Sequence, residues 1–497
     1  MNIAQKIAKE STITFTGMLY GNINRYLYIA LMARWMGIEY VGIYSIANAI
    51  MLLGEVISKM GLETGIMRFV SRLDIQKEKN MIKSIIESSL KMVIIFSIVI
   101  TFLIIFFSST LTNIYNGTPL LKLAIILFAL SIPFNSITVV SAFASQGFKL
   151  LKYKVFTTQF LNPSILLVSM IFCYLFISKV SAIILPIVVS SIIGSIAMLI
   201  LLRKISNISI KNIIYSKFNK KLFVYSTPLM FVAVFQTLMH WMDILMLGFY
   251  LDTKIVGLYH PAARTAGLLQ ALLLSFISIY APMVSELHKQ NNISEISKIY
   301  KLVTRWLFSI SIPIALVFIL YPKKVMLLFG PEYIAGYKIL IVLTIATFIQ
   351  TVLGCAGPIL SMTGHTKLVF KNSCCAFILN LWLNILLIPR FGVLGAAYAT
   401  LFSIIVIGLL RVIEVQYLFK LSFFSFSTIK PIFAGLITGI IIIYLKSYFM
   451  QFHTLVTLVC ISILSITIFG IILWLLKIES EDIDFLLGLK ILRNIKK

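Results

Sequence analysis

Arg25 stands near the middle of YGNINRYLYIALM (20–32), a stretch otherwise suited to lipid. A charge at the centre of a membrane span costs about 2.5–3.5 kcal/mol on insertion scales, so it needs a partner or a task. Two uses fit a guanidinium there: pairing across helices, or holding an anionic ligand. Its planar fork takes phosphate oxygens in pairs and stays charged at any physiological pH. Arg264, in LYHPAARTAGLL (258–269), raises the same question, and neither arginine has an obvious acid on its own helix.

Positions three and four apart share a helical face. Gly17, Gly21, Arg25 and Tyr28 therefore form one stripe, and Gln236, His240 and Asp243 a second. His260 with Arg264, Asn48 with Glu55 and Lys59, and Thr347 with Gln350 and Gly354 form three more. Polar stripes avoid lipid and are expected to point inward. Arg25, Arg264, His240, Tyr28, Gln236 and Gln350 are the candidate substrate-binding residues; Asp243 and Glu55 are the candidate ion-coupling groups. Each has a plainer use. Glu55 and Lys59 are spaced to pair with each other, as are Arg411 and Glu414. Asp243 can neutralise a nearby arginine, and His240, within MHWM, can hydrogen-bond a neighbouring helix. Tyr28, Trp241 and Tyr259 can stack on sugar faces or pack against helices. Acids are sparse among these groups, which disfavours a cationic substrate.

The elements that position these residues are membrane helices. Of 497 residues, 60% are hydrophobic and only 12% charged, with a mean hydropathy of +1.01. That balance excludes a soluble globular protein and predicts an all-α polytopic membrane protein. A span needs about 20 apolar residues. Fourteen segments qualify: 11–33, 40–66, 84–109, 119–146, 156–178, 180–202, 222–250, 255–281, 303–321, 335–361, 368–388, 392–419, 429–449 and 453–476. The first lacks a small-residue cleavage site and reads as a retained helix. With the N-terminus inside, the cytoplasmic segments and their flanks hold 30 Lys and Arg, and the opposite side 9. This bias predicts a multi-pass protein of the cytoplasmic membrane with both termini cytoplasmic. The net charge of +26 follows from that topology, so no nucleic-acid partner is expected. The basic stretch 203–221 is expected to lie on anionic inner-leaflet lipid, partly as an interfacial helix.

No phosphate-binding loop of the G-x-x-x-x-G-K-[ST] type is present, and no segment is long enough for a soluble catalytic domain. Cys173, Cys355, Cys374, Cys375 and Cys460 fall in apolar stretches without metal-ligand spacing. No cofactor and no metal site is expected. Prolines within spans, Pro163 among them, weaken the backbone ladder and permit bends.

An internal repeat organises the helices. At a shift of 215 positions YVGIYSIANA (40–49) meets IVGLYHPAAR (255–264), pairing Val41, Gly42, Tyr44 and Ala47 with Val256, Gly257, Tyr259 and Ala262. Arg25 falls on His240. Both copies start on the cytoplasmic side, so the repeat is parallel, and such transporters bind near the midplane between lobes. The expected domains are an N-terminal lobe (1–210, helices one to six), a C-terminal lobe (211–425, helices seven to twelve), and two added helices with a basic tail (426–497).

STITFTGMLYGNINRYLYIALMARWMGIEYVGIYSIANAI (11–50), GLETGIMRFVSR (61–72) and LNLWLNILLIPRFGVLGAAYAT (379–400) resemble Wzx-type polysaccharide flippases of the multidrug/oligosaccharidyl-lipid/polysaccharide exporter superfamily. The resemblance covers nearly the whole chain and rests on no catalytic motif. It implies a two-lobe transporter, not an enzyme. It also implies alternating access for an undecaprenyl-pyrophosphate-linked oligosaccharide destined for capsule, O-antigen or lipopolysaccharide, or another surface polysaccharide. Basic cavity residues would then meet the pyrophosphate, as Arg25 and Arg264 are placed to do. Membrane lipids, a proton or sodium ion, and a polysaccharide polymerase with its chain-length complex are the implied partners. A lipid II flippase and an ion-coupled multidrug or metabolite antiporter of the same fold are the alternatives. Drug exporters of this superfamily typically carry acids in the cavity, and the first helix here has an arginine instead.

Overall fold

The computed structural model describes residues 3–74, 77–148, 150–422, 426–449 and 451–476, and these are helical almost throughout. In lipid every backbone donor and acceptor must be satisfied within its own segment, so long apolar runs become helices. Among the described residues, thirteen helices are long and apolar enough to cross a membrane. The first expected span is the departure from fourteen. It is a helix, α1 (Ile3–Met36), but Asn22, Asn24 and Arg25 make its middle too polar to count by composition. The basic tail, 477–497, lies outside the described residues.

Contacts divide the chain into two compact units, residues 1–261 and 262–497. The first holds α1, α2 (Ile38–Lys59), α3 (Leu62–Ser71), α4 (Lys79–Phe106), α5 (Ser108–Ile114), α6 (Pro119–Ala129), α7 (Ile132–Gly147) and α8 (Leu151–Val155). A π-helical turn, Phe156–Leu161, leads into α9 (Asn162–Phe176), followed by α10 (Lys179–Ser206), α11 (Ile210–Tyr215) and α12 (Lys220–Tyr250). The long α13 (Thr253–Lys289) begins in this unit and continues into the next.

Breaks in the helices follow local chemistry. Gly37 at φ 95° separates α1 from α2, and left-handed Met60 and Gly61 separate α2 from α3. Asn219 caps α12 by accepting from the Leu222 amide. The core of this unit is built from Leu62, Ile66, Ile86, Val93 and Val140, all essentially inaccessible to solvent. The expected interfacial stretch contains α11, with Ile214, Tyr215 and Phe218 exposed and Ile213 buried. It is tied to α4 by Glu87 (Ser209 N, 3.4 Å), Ser88 (Asn219 N, 3.0 Å) and Lys91 (Ser216 O, 2.9 Å).

The division at 261 falls later than the lobe boundary drawn from the repeat at 210. The reason is packing: α12 lies against α2 and α3. Gly61 and Gly65 permit this, since a Cβ at either would collide with Ser226 on α12. The start of α13 crosses α2 more closely still. A Cβ on Gly42 would fall on the Thr253 carbonyl, and one on Gly257 would fall on the Ile38 carbonyl. Those two collisions are the same contact seen from either side, because Ile38 and Thr253, like Gly42 and Gly257, are related by the shift of 215. Reciprocal contacts of this kind arise where two equivalent segments meet on a local two-fold axis.

The second unit contains most of α13, then α14 (Ile293–Leu320), α15 (Pro322–Leu327), a 3-10 turn at Pro331–Gly336, α16 (Tyr337–Leu353), α17 (Ala356–Met362), α18 (Thr366–Phe391), α19 (Val393–Phe419), α20 (Phe426–Phe449) and α21 (Thr454–Leu475). Its core gathers Tyr280, Val284, Tyr300, Leu307, Ile359 and Val415. The two added helices, α20 and α21, both pack on α14. Gly435 admits Ile312, and Ser465 donates to the Pro313 carbonyl at 3.2 Å.

Candidate functional site

The α1 stripe faces the fifth span. Gly17 abuts Val155 and Phe160, and Gly21 abuts Gln159, so the two glycines let α1 approach the α8–α9 segment. Arg25, half-buried one turn further on, reaches the same segment. Its Nη2 donates to the Thr158 carbonyl at 3.0 Å and to Gln159 Oε1 at 3.2 Å, and its Nη1 lies 3.5 Å from Asn22 Oδ1. These acceptors are neutral. They orient the fork towards the fifth span.

The Thr158 carbonyl is available for a reason visible in the backbone. Within the π turn the Asn162 amide bonds to the Thr157 carbonyl, five residues back. The next bond in that register would run from residue 163 to Thr158, and residue 163 is a proline, which has no N–H. Thr158 is thus left without its helical donor, and Arg25 supplies one.

A second cluster adjoins it, since Tyr28 lies on α1 three residues after Arg25. The Tyr28 ring is buried against Tyr44 at 5.5 Å, and its hydroxyl has no hydrogen-bond partner among the described residues. Tyr44 stacks on His260 at 6.4 Å, His260 meets Trp241 at 5.9 Å, and Trp241 meets His240 at 5.5 Å. His260 is buried, and its Nδ1 shares a 2.6 Å hydrogen bond with Ser45 Oγ, again two positions separated by 215. Asp243 accepts from the Tyr259 hydroxyl at 2.5 Å. That pair on α12 and α13 is the counterpart, at the same shift, of Tyr28 and Tyr44 on α1 and α2.

Tyr28 and His240 therefore stand at the two ends of one chain of ring contacts in the first unit, and the Asp243–Tyr259 pair lies on two of the same helices, α12 and α13. Gln236 and His240 are exposed on α12. Glu55 is elsewhere on α2, buried in a 2.9 Å ion pair with Lys59, whose Nζ is 4.0 Å from Glu63. Arg264 and Gln350 belong to the second unit, both half-buried, on α13 and α16. Glu414, the expected partner of Arg411, accepts from Asn372 Nδ2 at 2.6 Å.

Sequence reasoning missed Thr158, Gln159 and Ser45. Pro163, five residues after Thr158, was the available signal for the first two. The shift of 215 that maps Ser45 onto His260 was the signal for the third. Among the described residues no group of His, Cys, Asp and Glu is arranged to hold a metal ion. A charged fork on neutral acceptors, next to a stack of rings with a membrane-embedded acid, can bind an anionic group and sugar-like faces.

The family described as Polysaccharide biosynthesis protein matches residues 7–288, and the MatE family matches residues 228–386. The chain is 25% identical to Uncharacterized membrane protein MJ1068 of Methanocaldococcus jannaschii over 406 residues, covering 78% of this chain and 79% of that one. It is 26% identical over 185 residues to Probable low-salt glycan biosynthesis flippase Agl15 of Haloferax volcanii, 37% of this chain and 39% of the relative. To Probable flippase AglR of the same organism it is 27% identical, covering 35% of this chain and 37% of that one. The matches to these two relatives thus span well under half of either partner. Among solved structures, Lipid II flippase MurJ in an inward closed conformation superposes with a TM-score of 0.72 at 17% identity, over 92% of this chain and 98% of that one. An inward-facing multidrug resistance MATE family transporter superposes with a TM-score of 0.66 at 12% identity, over 82% and 99%. Both likenesses concern the fold.

Proposed function

We propose, on the premise that this chain belongs to the polysaccharide biosynthesis protein family, that it flips a polyprenyl-pyrophosphate-linked oligosaccharide across the cytoplasmic membrane by alternating access. It is a multi-pass membrane protein and a flippase-like transporter of the multidrug/oligosaccharidyl-lipid/polysaccharide exporter superfamily. The proposed orientation has both termini cytoplasmic.

One observation carries the substrate reading: the Arg25 fork is held in place by neutral acceptors on the fifth span. A pyrophosphate offers the paired oxygens that such a fork recognises. Arg264, on the other repeat, is proposed as its counterpart, and the prenyl tail stays in lipid while the head passes. The rings of Trp241, Tyr259 and Tyr28 are proposed to border the sugar path when the helices separate. The names of Agl15 and AglR support a glycan-linked substrate over a drug.

Asp243 is the better of the two proposed coupling groups. Its hydroxyl partner can be exchanged for a proton or sodium ion. A cation reaching Glu55 would have to displace Lys59.

The test is flipping of a fluorescent polyprenyl-pyrophosphate glycan by reconstituted protein at matched amounts, with thermal stability measured alongside. Losing one charged hydrogen-bonding group costs about 1.5–3 kcal/mol, roughly ten- to a hundredfold in affinity. Flipping should fall strongly in Arg25→Ala and partly in Arg25→Lys, and the free polyprenol should not compete. Normal flipping by Arg25→Ala, or loss explained by unfolding alone, removes the binding role.

A further inference from the structure

We propose that Arg68, laid on the ring of Tyr225 where α3 packs against the start of α12, binds the phosphate of a lipid head group. The site is separate from Arg25 and does not depend on what Arg25 holds.

Arg68 stands in the last turn of α3 and is half-buried. Its guanidinium carbon lies 4.4 Å from the centre of the Tyr225 ring. Phe69, the next residue, meets the same ring at 5.7 Å and steadies it from α3. Gly65 lets the two helices come this close, since a Cβ there would strike Ser226 and lie 3.1 Å from Leu222.

Among the described residues the Arg68 guanidinium makes no ion pair and donates no hydrogen bond. The acid on its own helix, Glu63, is turned towards Lys59 at 4.0 Å. A guanidinium stacked on a ring uses its face and keeps its edge, because its N–H donors lie in its plane. Phosphate oxygens are met by that edge, two at a time. The ring therefore fixes the fork without occupying its donors, as a carboxylate partner would.

The surroundings set the chemistry of the ligand. Arg72, at the C-terminal cap of α3, and Lys220 and Lys221, in the first turn of α12, are exposed and make no ion pair among the described residues. Lys221 is one turn before Tyr225, on the same face of α12. Ahead of α12, Ile214, Tyr215 and Phe218 are exposed, and Phe218 packs on Phe223 at 5.3 Å. Exposed apolar side chains beside lysines mark a segment at the depth of lipid head groups. Apolar groups that reach the acyl boundary, next to these cations, fit a phosphate carried by a lipid and disfavour one on a soluble metabolite. In the proposed orientation this end of both helices is cytoplasmic, where anionic lipid is enriched. Two lipids offer that chemistry: an anionic phospholipid and the polyprenyl pyrophosphate of the proposed substrate.

The experiment uses the full chain in neutral detergent, with direct binding and thermal stability read for phosphatidylglycerol, undecaprenyl pyrophosphate and, as the neutral control, undecaprenol. Arg68→Ala should weaken the phosphate-bearing occupant about tenfold and remove the thermal stabilisation it gives, with stability in the absence of lipid unchanged. Arg68→Lys keeps the charge and loses the fork, and should recover only part. Tyr225→Leu should weaken the same lipid about threefold and add nothing once Arg68 is alanine. Tyr225→Phe keeps the ring and should recover most of that loss. A loss confined to undecaprenyl pyrophosphate makes the occupant the substrate, and a loss that extends to phosphatidylglycerol makes it membrane phospholipid. Either loss should persist in an Arg25→Ala background, so the site stands whether or not Arg25 meets the substrate.

Parent-like binding of both phosphate lipids by Arg68→Ala overturns the proposal. So does an equal loss of undecaprenol, or a Tyr225→Leu effect undiminished when Arg68 is alanine. Where Arg68→Ala does not fold, Arg68→Gln, which keeps a polar side chain over the ring without the charge, is held to the same outcomes.

Discussion

Replacing Gly42 by alanine would place a methyl group on the Thr253 carbonyl where α2 crosses the start of α13. Besides the carbonyl oxygen it would meet, the new Cβ would sit 2.7 Å from the Thr253 carbonyl carbon and 3.1 Å from the Gly257 nitrogen. All three are backbone atoms, so no side chain can swing away, and the two helices must move apart. Overpacking of this kind costs about 1–3 kcal/mol, equivalent to a shift of about 5- to 150-fold between the crossed and separated arrangements. Gly257→Ala attacks the same crossing from the other side, against the Ile38 carbonyl. Once one alanine has separated the helices, the second has less left to disrupt, so the double variant should lose clearly less than the sum of the singles. Separation also breaks the bond between Ser45 and His260, which lies one turn further along both helices. The assay is denaturant unfolding in mixed micelles for the three variants, with thiol labelling of Ser45→Cys as a local probe. Labelling should rise in each glycine variant. Additive losses in the double variant, or unchanged labelling at position 45 with unchanged stability, would refute the argument that this crossing is closed by backbone contact.

Asp243→Asn should abolish gradient-driven transport while leaving probe binding measurable, and Tyr259→Phe, which removes the donor to Asp243, should alter the ion or pH dependence of transport; full gradient-driven activity in both removes Asp243 as the coupling group. Glu55→Gln leaves Lys59 buried with only the more distant Glu63 as acid, and should destabilise by up to about 3–5 kcal/mol, with Glu55→Gln/Lys59→Met recovering much of it in thermal unfolding. Burial pushes the Tyr115 phenol up to about 12. The unfolded phenol ionises near 10, so the unfolded chain loses its proton first, and this contribution to stability is intact below about pH 10 and is lost as pH rises towards 12. Tyr115→Phe should flatten that part of the stability-against-pH curve.

The helical membrane class was determined by the sequence alone, because in lipid the length and polarity of a run decide whether its backbone must close on itself. Each of the fourteen expected spans falls on helix for that reason, and α1 shows where the rule strains, with Asn22, Asn24 and Arg25 lowering its apolarity. The repeat was legible in a few small or aromatic residues, because close crossings tolerate only certain shapes. What the sequence could not reveal was that Gly42 meets the Gly257 segment and that Ser45 meets His260. A repeat in the sequence does not say which equivalent positions touch; only the packing of α2 on α13 decides that. The same holds for the ion pairs. Glu55 and Lys59 were legible because helical geometry brings positions four apart together. Arg25 was legible as a charge in need of a partner, yet two of its acceptors lie 133 and 134 positions away. They are a carbonyl and an amide, which no charge pattern marks. Pro163 announced an interrupted helix, but whether the freed carbonyl would be met by water, by a kink or by Arg25 depended on Gly17 and Gly21 letting α1 come close enough to reach it.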